Sequence, residues 1–292
     1  MDREALRNDF YQSRSLPGRV SVAFKFINAN FKYLFKRSSF ILAPVALIQA
    51  LFCVLATPVT FSVASIIATV LVSLLTIAGM LFFYSFIYTS LQHYLELGYL
   101  PAGGFKELCP PVLRNAKKLL YVGLFLFLIE LLLVALMVSG MLISLYSLFV
   151  TVPLMLFLLV PFAYFGFRYL FGNEKIFVSF KQSYRLGITY WGSTFLMLLV
   201  ILVLAGIIQL VAILPMYMGI FVESTAHLSM LQGNEVVLPG YFPFMLFLIA
   251  FISMFIYFMS MALVIILLAF QYGSVVADQR ERKAESANMA EI

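Results

Sequence analysis

Charge is what this chain has least of. Asp, Glu, Lys and Arg make up 11% of its 292 residues, against about 25% in soluble domains, which excludes a globular surface bathed in water. Cysteine is nearly absent too: Cys53 and Cys109 alone set no disulfide framework. The topology read below puts them near opposite membrane faces, about 25 to 30 Å apart across an ordinary hydrocarbon core, far outside disulfide reach. Catalytic signatures are missing. There is no GxSxG elbow, no phosphate-cradling GxxxxGK[ST], no GxGxxG after a strand and no acid pair suited to hydrolysis. No enzymatic activity and no cofactor are therefore expected. The first 35 residues are charged and amphipathic, without a compact apolar core and cleavage site, so the N-terminus is expected to stay on the mature protein.

What is present is apolar surface. Hydrophobic residues reach 63% and the mean hydropathy is +1.03, which defines an all-α polytopic membrane bundle, since helices satisfy their own backbone in lipid. The net charge of +6 does not point to nucleic acid. Its cations sit beside apolar runs, where anionic lipid headgroups are the expected partners.

Three Phe-Lys pairs, at Phe24-Lys25, Phe105-Lys106 and Phe180-Lys181, each open a basic stretch that leads into paired apolar segments; the spacings are 81 and 75 residues. The expected organisation is a cytoplasmic arm (1–18), a six-helix membrane domain (19–275) in three pseudo-repeats (19–100, 101–172, 173–275) and a mobile cytoplasmic tail (276–292). Each repeat should hold an interfacial amphipathic helix and a helical hairpin. In the first, Val20, Phe24, Ile27, Phe31, Leu34 and Phe35 recur at helical spacing opposite Lys25, Asn28, Lys32 and Lys36.

Span one is expected at Ser39 to Leu55, with a turn at Thr57-Pro58. Span two runs from near Phe61 past Ile87, its Ala64, Ala68, Ser65, Thr69 and Ser73 suited to close helix packing. Gly103-Gly104 then enters the second connector, where Pro110-Pro111 should break the helix. Leu119 to Phe167 as one helix would reach roughly 74 Å, so it must be two spans, reversing at Ser139-Gly140. Span four carries Pro153 and Pro161, which should kink it. Its inner end, Phe162, Tyr164, Phe165, Phe167 and Tyr169 around Arg168, reads as an interfacial aromatic belt. Asn173 is placed to cap the third surface helix, with Ile176, Phe177, Phe180 and Tyr184 on its apolar face, and Trp191 marks the interface. Span five is expected near Phe195 to Phe221, a loop at Val222 to Gly240, and span six at Tyr241 to Phe270.

Lys and Arg segregate completely: eight before span one, four between spans two and three, four from Arg168 to span five, three after span six, and none in the other three connections. That asymmetry predicts both termini on the cytoplasmic side.

Glu130 is the only full charge deep in a span. An intramembrane acid is by default a functional candidate, suited to proton coupling or to a cationic ligand. It should face the bundle and be paired, or be protonated, a neutral acid then hydrogen-bonding Gln49, Gln209, a serine or a carbonyl set loose near Pro153, with Pro161 the other proline candidate of the site. For lipid headgroups the candidates are Lys25, Lys32, Lys36, Arg37, Lys106, Arg114, Lys117, Lys181 and Arg185. Glu223, His227 and Glu235 lack the spacing of a metal site, and no metal is expected. His93 and Glu96 read as a snorkelling helix end.

The three Phe-Lys openings, each preceded by a small residue (Ala23, Gly104, Ser179) and followed by paired spans, resemble six-span bacterial membrane proteins related to the membrane domain of glycerophosphoryl diester phosphodiesterases. The resemblance covers about residues 19 to 275. It implies a bacterial cytoplasmic membrane. No phosphodiesterase domain is expected here, and no functional residue carries over. The expected function is a non-enzymatic lipid- or partner-binding assembly or homeostasis factor, the alternative a small-molecule or lipid transporter using Glu130.

Overall fold

Backbone amides in hydrocarbon have no water to bond, so apolar runs of this length close their hydrogen bonds internally as helices. The computed structural model describes residues 10–55, 63–100, 105–172, 174–233 and 237–290. Among them are α1 (Leu16–Leu55), α2 (Val63–Leu97), α3 (Phe105–Ile143), α4 (Leu148–Leu159), α5 (Phe165–Phe171), α6 (Ile176–Thr189), α7 (Trp191–Leu231) and α8 (Phe242–Ala290). Short 3₁₀ turns lie at Leu145–Ser147 and Val160–Tyr164. Six stretches are long and apolar enough to cross a membrane, residues Leu148–Phe171 counting as one. The chain is an all-helical, multi-pass membrane protein.

Several boundaries differ from expectation. Surface helix and span are continuous in α1 and in α3; only in the third unit does Tyr190 part α6 from α7. Pro110 and Pro111 lie inside α3 without breaking it. Both have the helical φ fixed by their rings. The carbonyls that lose an amide partner, four residues back on Lys106 and Glu107, belong to exposed residues near the helix start, where water can serve them. The reversal falls at Ser144, beyond Ser139-Gly140. Helix α7 continues ten residues past Phe221, so Glu223 and His227 are helical, and Gly233 ends it with φ +85°. The tail after Asp278 is helical through Ala290. The arm from Phe10 is docked, for Phe10 is buried and its ring lies 5.2 Å from that of Phe270. Thr57-Pro58, Gly103-Gly104, Asn173 and Glu235 lie outside the described residues; α6 is preceded by Lys175, whose side chain does not cap it.

The chain divides into two compact units that cut across chain order. In the first (Met1–Asn30, Ser85–Val200, Ile265–Ile292) the 3₁₀ turn containing Pro161 packs against α6. Helix α6 meets this turn along a stripe of small residues, Ser179, Ser183 and Gly187, all buried. A Cβ on Gly187 would overlap the Pro161 backbone, lying 2.5 Å from its carbonyl oxygen. Part of the aromatic group at the end of span four is core, while Phe162 and Tyr169 are half-buried. Tyr164, Phe165 and Phe167 are buried, Phe165 against Phe125 and Phe180, Phe167 against Tyr88 and Tyr272. An interior position serves the rings better because the neighbouring helices supply matching apolar surface and partners for their hydroxyls.

The second unit (Phe31–Tyr84, Ile201–Val264) centres on Ala50, Met216 and Ala250. Close helix approach occurs at Gly79 on Val45 and at Gly219 on Leu246. Of the small residues of α2 read from the sequence, Thr69 and Ser73 are exposed and Ser65 and Ala68 half-buried.

Candidate functional site

Glu130 lies on α3 beside an apolar cleft of about 340 Å³. Its wall is built by α4 and the 3₁₀ turn, which bring Leu156, Leu159, Val160, Phe162 and Ala163 opposite Leu126 and Ile129. Pro161 shapes that wall. It is buried under Gly187 and stands in the 3₁₀ turn between α4 and α5, whereas Pro153 is exposed and α4 runs through it. The departure from α-helical pairing in this span is thus at Pro161.

The carboxylate does not meet the partner expected of it. Glu130 is exposed at the cleft, and among the described residues it has no hydrogen bond or ion pair. Gln49 and Gln209 belong to the second unit and are engaged there: Gln49 Nε2 donates to Thr76 Oγ1, and Gln209 Nε2 to Ser260 Oγ at 3.0 Å. The structure thus separates the intramembrane candidates into two amides with hydroxyl partners and one carboxylate without.

Of the headgroup candidates, Lys25, Lys32, Lys36, Lys106, Arg114, Lys117, Lys181 and Arg185 are exposed. Arg37 is half-buried, its guanidinium 5.6 Å from the Tyr33 ring centre. The lysine of each Phe-Lys pair is exposed, while Ala23 and Ser179, just before two of the pairs, are buried. The helices thus present cations outward and small residues inward, as an amphipathic surface helix does.

Glu223 is buried and its Oε2 lacks a partner among the described residues, with His227 one turn further along α7. No group of three metal-ligating side chains forms among the described residues. No disulfide joins the two cysteines; Cys109 is exposed and Cys53 half-buried.

Sequence reasoning missed a buried polar network in the first unit. Arg19 Nη1 donates to Ser193 Oγ at 2.6 Å and Gln271 Oε1 at 2.8 Å, and its Nε to Ser274 Oγ at 3.0 Å. Gln271 Nε2 donates to the Tyr164 hydroxyl at 3.1 Å, which pairs with Thr194 Oγ1 at 2.6 Å; Thr194 in turn donates to the Tyr190 carbonyl. A second network joins Asn115 Nδ2 to Thr89 Oγ1 and Gln92 Oε1, while Gln92 Nε2 donates to the Leu170 carbonyl. Each of these donors finds its acceptor within the chain, so both networks read as fastenings. Their signal in the sequence was present, as Gln271 and Ser274 interrupt the apolar end of span six.

Comparison with family models, curated proteins and solved structures found no match to the chain. Geometry alone therefore carries the functional reading.

Proposed function

We propose that this is a non-enzymatic protein of a bacterial cytoplasmic membrane, with both termini inside, that binds anionic lipid and through it serves as a membrane assembly or homeostasis factor. The observation that carries the reading is the state of its cations. Lys25, Lys32, Lys36, Lys106, Arg114, Lys117, Lys181 and Arg185 are exposed and make no ion pair among the described residues. Each is left to a phosphate, worth about 1 kcal/mol near an anionic surface. The layout resemblance to the phosphodiesterase membrane domain belongs to the same proposal.

The test is lipid retention. Lys25, Lys32 and Lys36 changed together to Glu should lower the anionic lipid that copurifies per chain, with neutral lipid unaffected. Unchanged retention overturns the reading. The second reading, a transporter using Glu130, draws support from the cleft beside it. Flux in proteoliposomes that disappears in Glu130→Gln would favour it over a passive binder.

A further inference from the structure

The three hairpins share a register. Gln49 stands twenty-five residues after Phe24, and Glu130 stands twenty-five after Phe105. In the third hairpin, Gln209 falls one helical turn later, twenty-nine after Phe180. In the first and third, the amide reaches a hydroxyl on the second helix of its own hairpin, Thr76 and Ser260 respectively. The second hairpin departs from this twice. A carboxylate replaces the amide, and the opposing wall of Leu156, Leu159, Val160, Phe162 and Ala163 offers no hydroxyl. Where the other hairpins close with a hydrogen bond, this one leaves a cleft and an unmatched negative group.

We propose that this cleft binds a lipophilic cation: one positive charge carried on an apolar body. The volume, about 340 Å³, falls within the roughly 300 to 1,000 Å³ of small-ligand sites. The lining selects the chemistry. Glu130 is its one charged or polar side chain, so an anion is repelled and a polyhydroxylated ligand would strand its own hydroxyls against hydrocarbon. A cation gains an ionic partner at low dielectric and buries its apolar body against leucines and the Phe162 ring, a surface that favours cations over its face. Among the described residues, none in the cleft lining supplies this charge. On the same helix the nearest cation is Lys118, twelve residues or about 18 Å away along the axis, its ammonium 5.7 Å from the Tyr169 ring centre. Arg168 is paired with Glu174. With only one directed polar contact, the cleft recognises a class of molecule by charge and hydrophobicity. This inference concerns a different surface from the headgroup-binding cations, and either can fail without the other.

The full chain in nanodiscs of phosphatidylcholine, probed with radiolabelled tetraphenylphosphonium, provides the test. Saturable binding near one per chain is expected, displaced by dodecyltrimethylammonium but not by dodecanol, with affinity at least tenfold weaker in Glu130→Gln. Leu156→Trp keeps the carboxylate and fills the cleft, and should abolish binding too; it decides the matter if Glu130→Gln fails to fold. Non-saturable partitioning equal in all variants would overturn the proposal. So would cross-linking from position 156 to a second copy of the chain in every nanodisc, which would assign the cleft to a protein interface.

Discussion

Arg19 Nη1 and Ser193 Oγ, 2.6 Å apart, join the first turn of α1 to the first turn of α7. The same guanidinium holds Gln271 and Ser274 on α8. Three elements distant in sequence thus converge on one planar fork whose donors point in fixed directions, which a lysine ammonium cannot reproduce. Arg19→Ala leaves Gln271 Oε1 short of a donor and should lower stability by about 1.5–3 kcal/mol, the range for hydrogen bonds to a charged group. Arg19→Lys should recover only part of it. Thermal unfolding in mild detergent measures both; equal stability of Arg19→Ala and the parent would mean the network is incidental.

Gly187 is intolerant for a different reason. The Pro161 backbone occupies the space a Cβ would need, and neither backbone can move like a flexible side chain. Gly187→Ala should cost about 1–3 kcal/mol through overpacking, and Gly187→Leu should prevent α6 from seating on the turn. Because Pro161 also shapes the cleft wall, Gly187→Ala should weaken ligand binding at Glu130 as well as stability. Gly192→Ala is the control: a Cβ there has open space, and no loss is expected.

The proposed sidedness of the chain rests on its cations and can be read by labelling. Leu231 is 85% exposed at the end of α7, and Lys283 is exposed near the end of α8. In a chain lacking the native cysteines, Leu231→Cys should react with a membrane-impermeant maleimide in intact cells, and Lys283→Cys only after permeabilisation. The reverse pattern, or equal labelling, would break the inference from charge.

How much of this was legible beforehand depended on the kind of force involved. The six apolar stretches were plain because burial in lipid is written into composition residue by residue. Helix continuity was not: Pro110-Pro111 looked like a break, yet whether proline interrupts a helix depends on what satisfies two carbonyls, a matter of exposure at Lys106 and Glu107. The burial of Tyr164 was not legible, because a tyrosine suits both a headgroup layer and a polar core, and its bonds with Gln271 and Thr194 exist only in the fold. Glu130 stood out as a charge. Its isolation, without a hydrogen-bond partner among the described residues, could not be read, since pairing is a property of tertiary structure.

That isolation separates Glu130 from its counterpart amides by experiment. Gln209 bonds Ser260, and an interhelical bond of this kind in lipid contributes about 0.6 kcal/mol on average and at most about 1.7. Gln209→Leu should therefore lower the unfolding temperature slightly. Glu130 has no such bond to lose, and a charged residue at a helix centre costs about 2.5–3.5 kcal/mol on insertion scales. Glu130→Leu should leave the unfolding temperature unchanged or raise it, while destroying cation binding. Opposite signs at the two positions are what a retained binding group predicts: the carboxylate is kept against stability. If Glu130→Leu instead destabilises like Gln209→Leu, the acid is holding helices together in the membrane, and the cleft beside it has no ligand to explain.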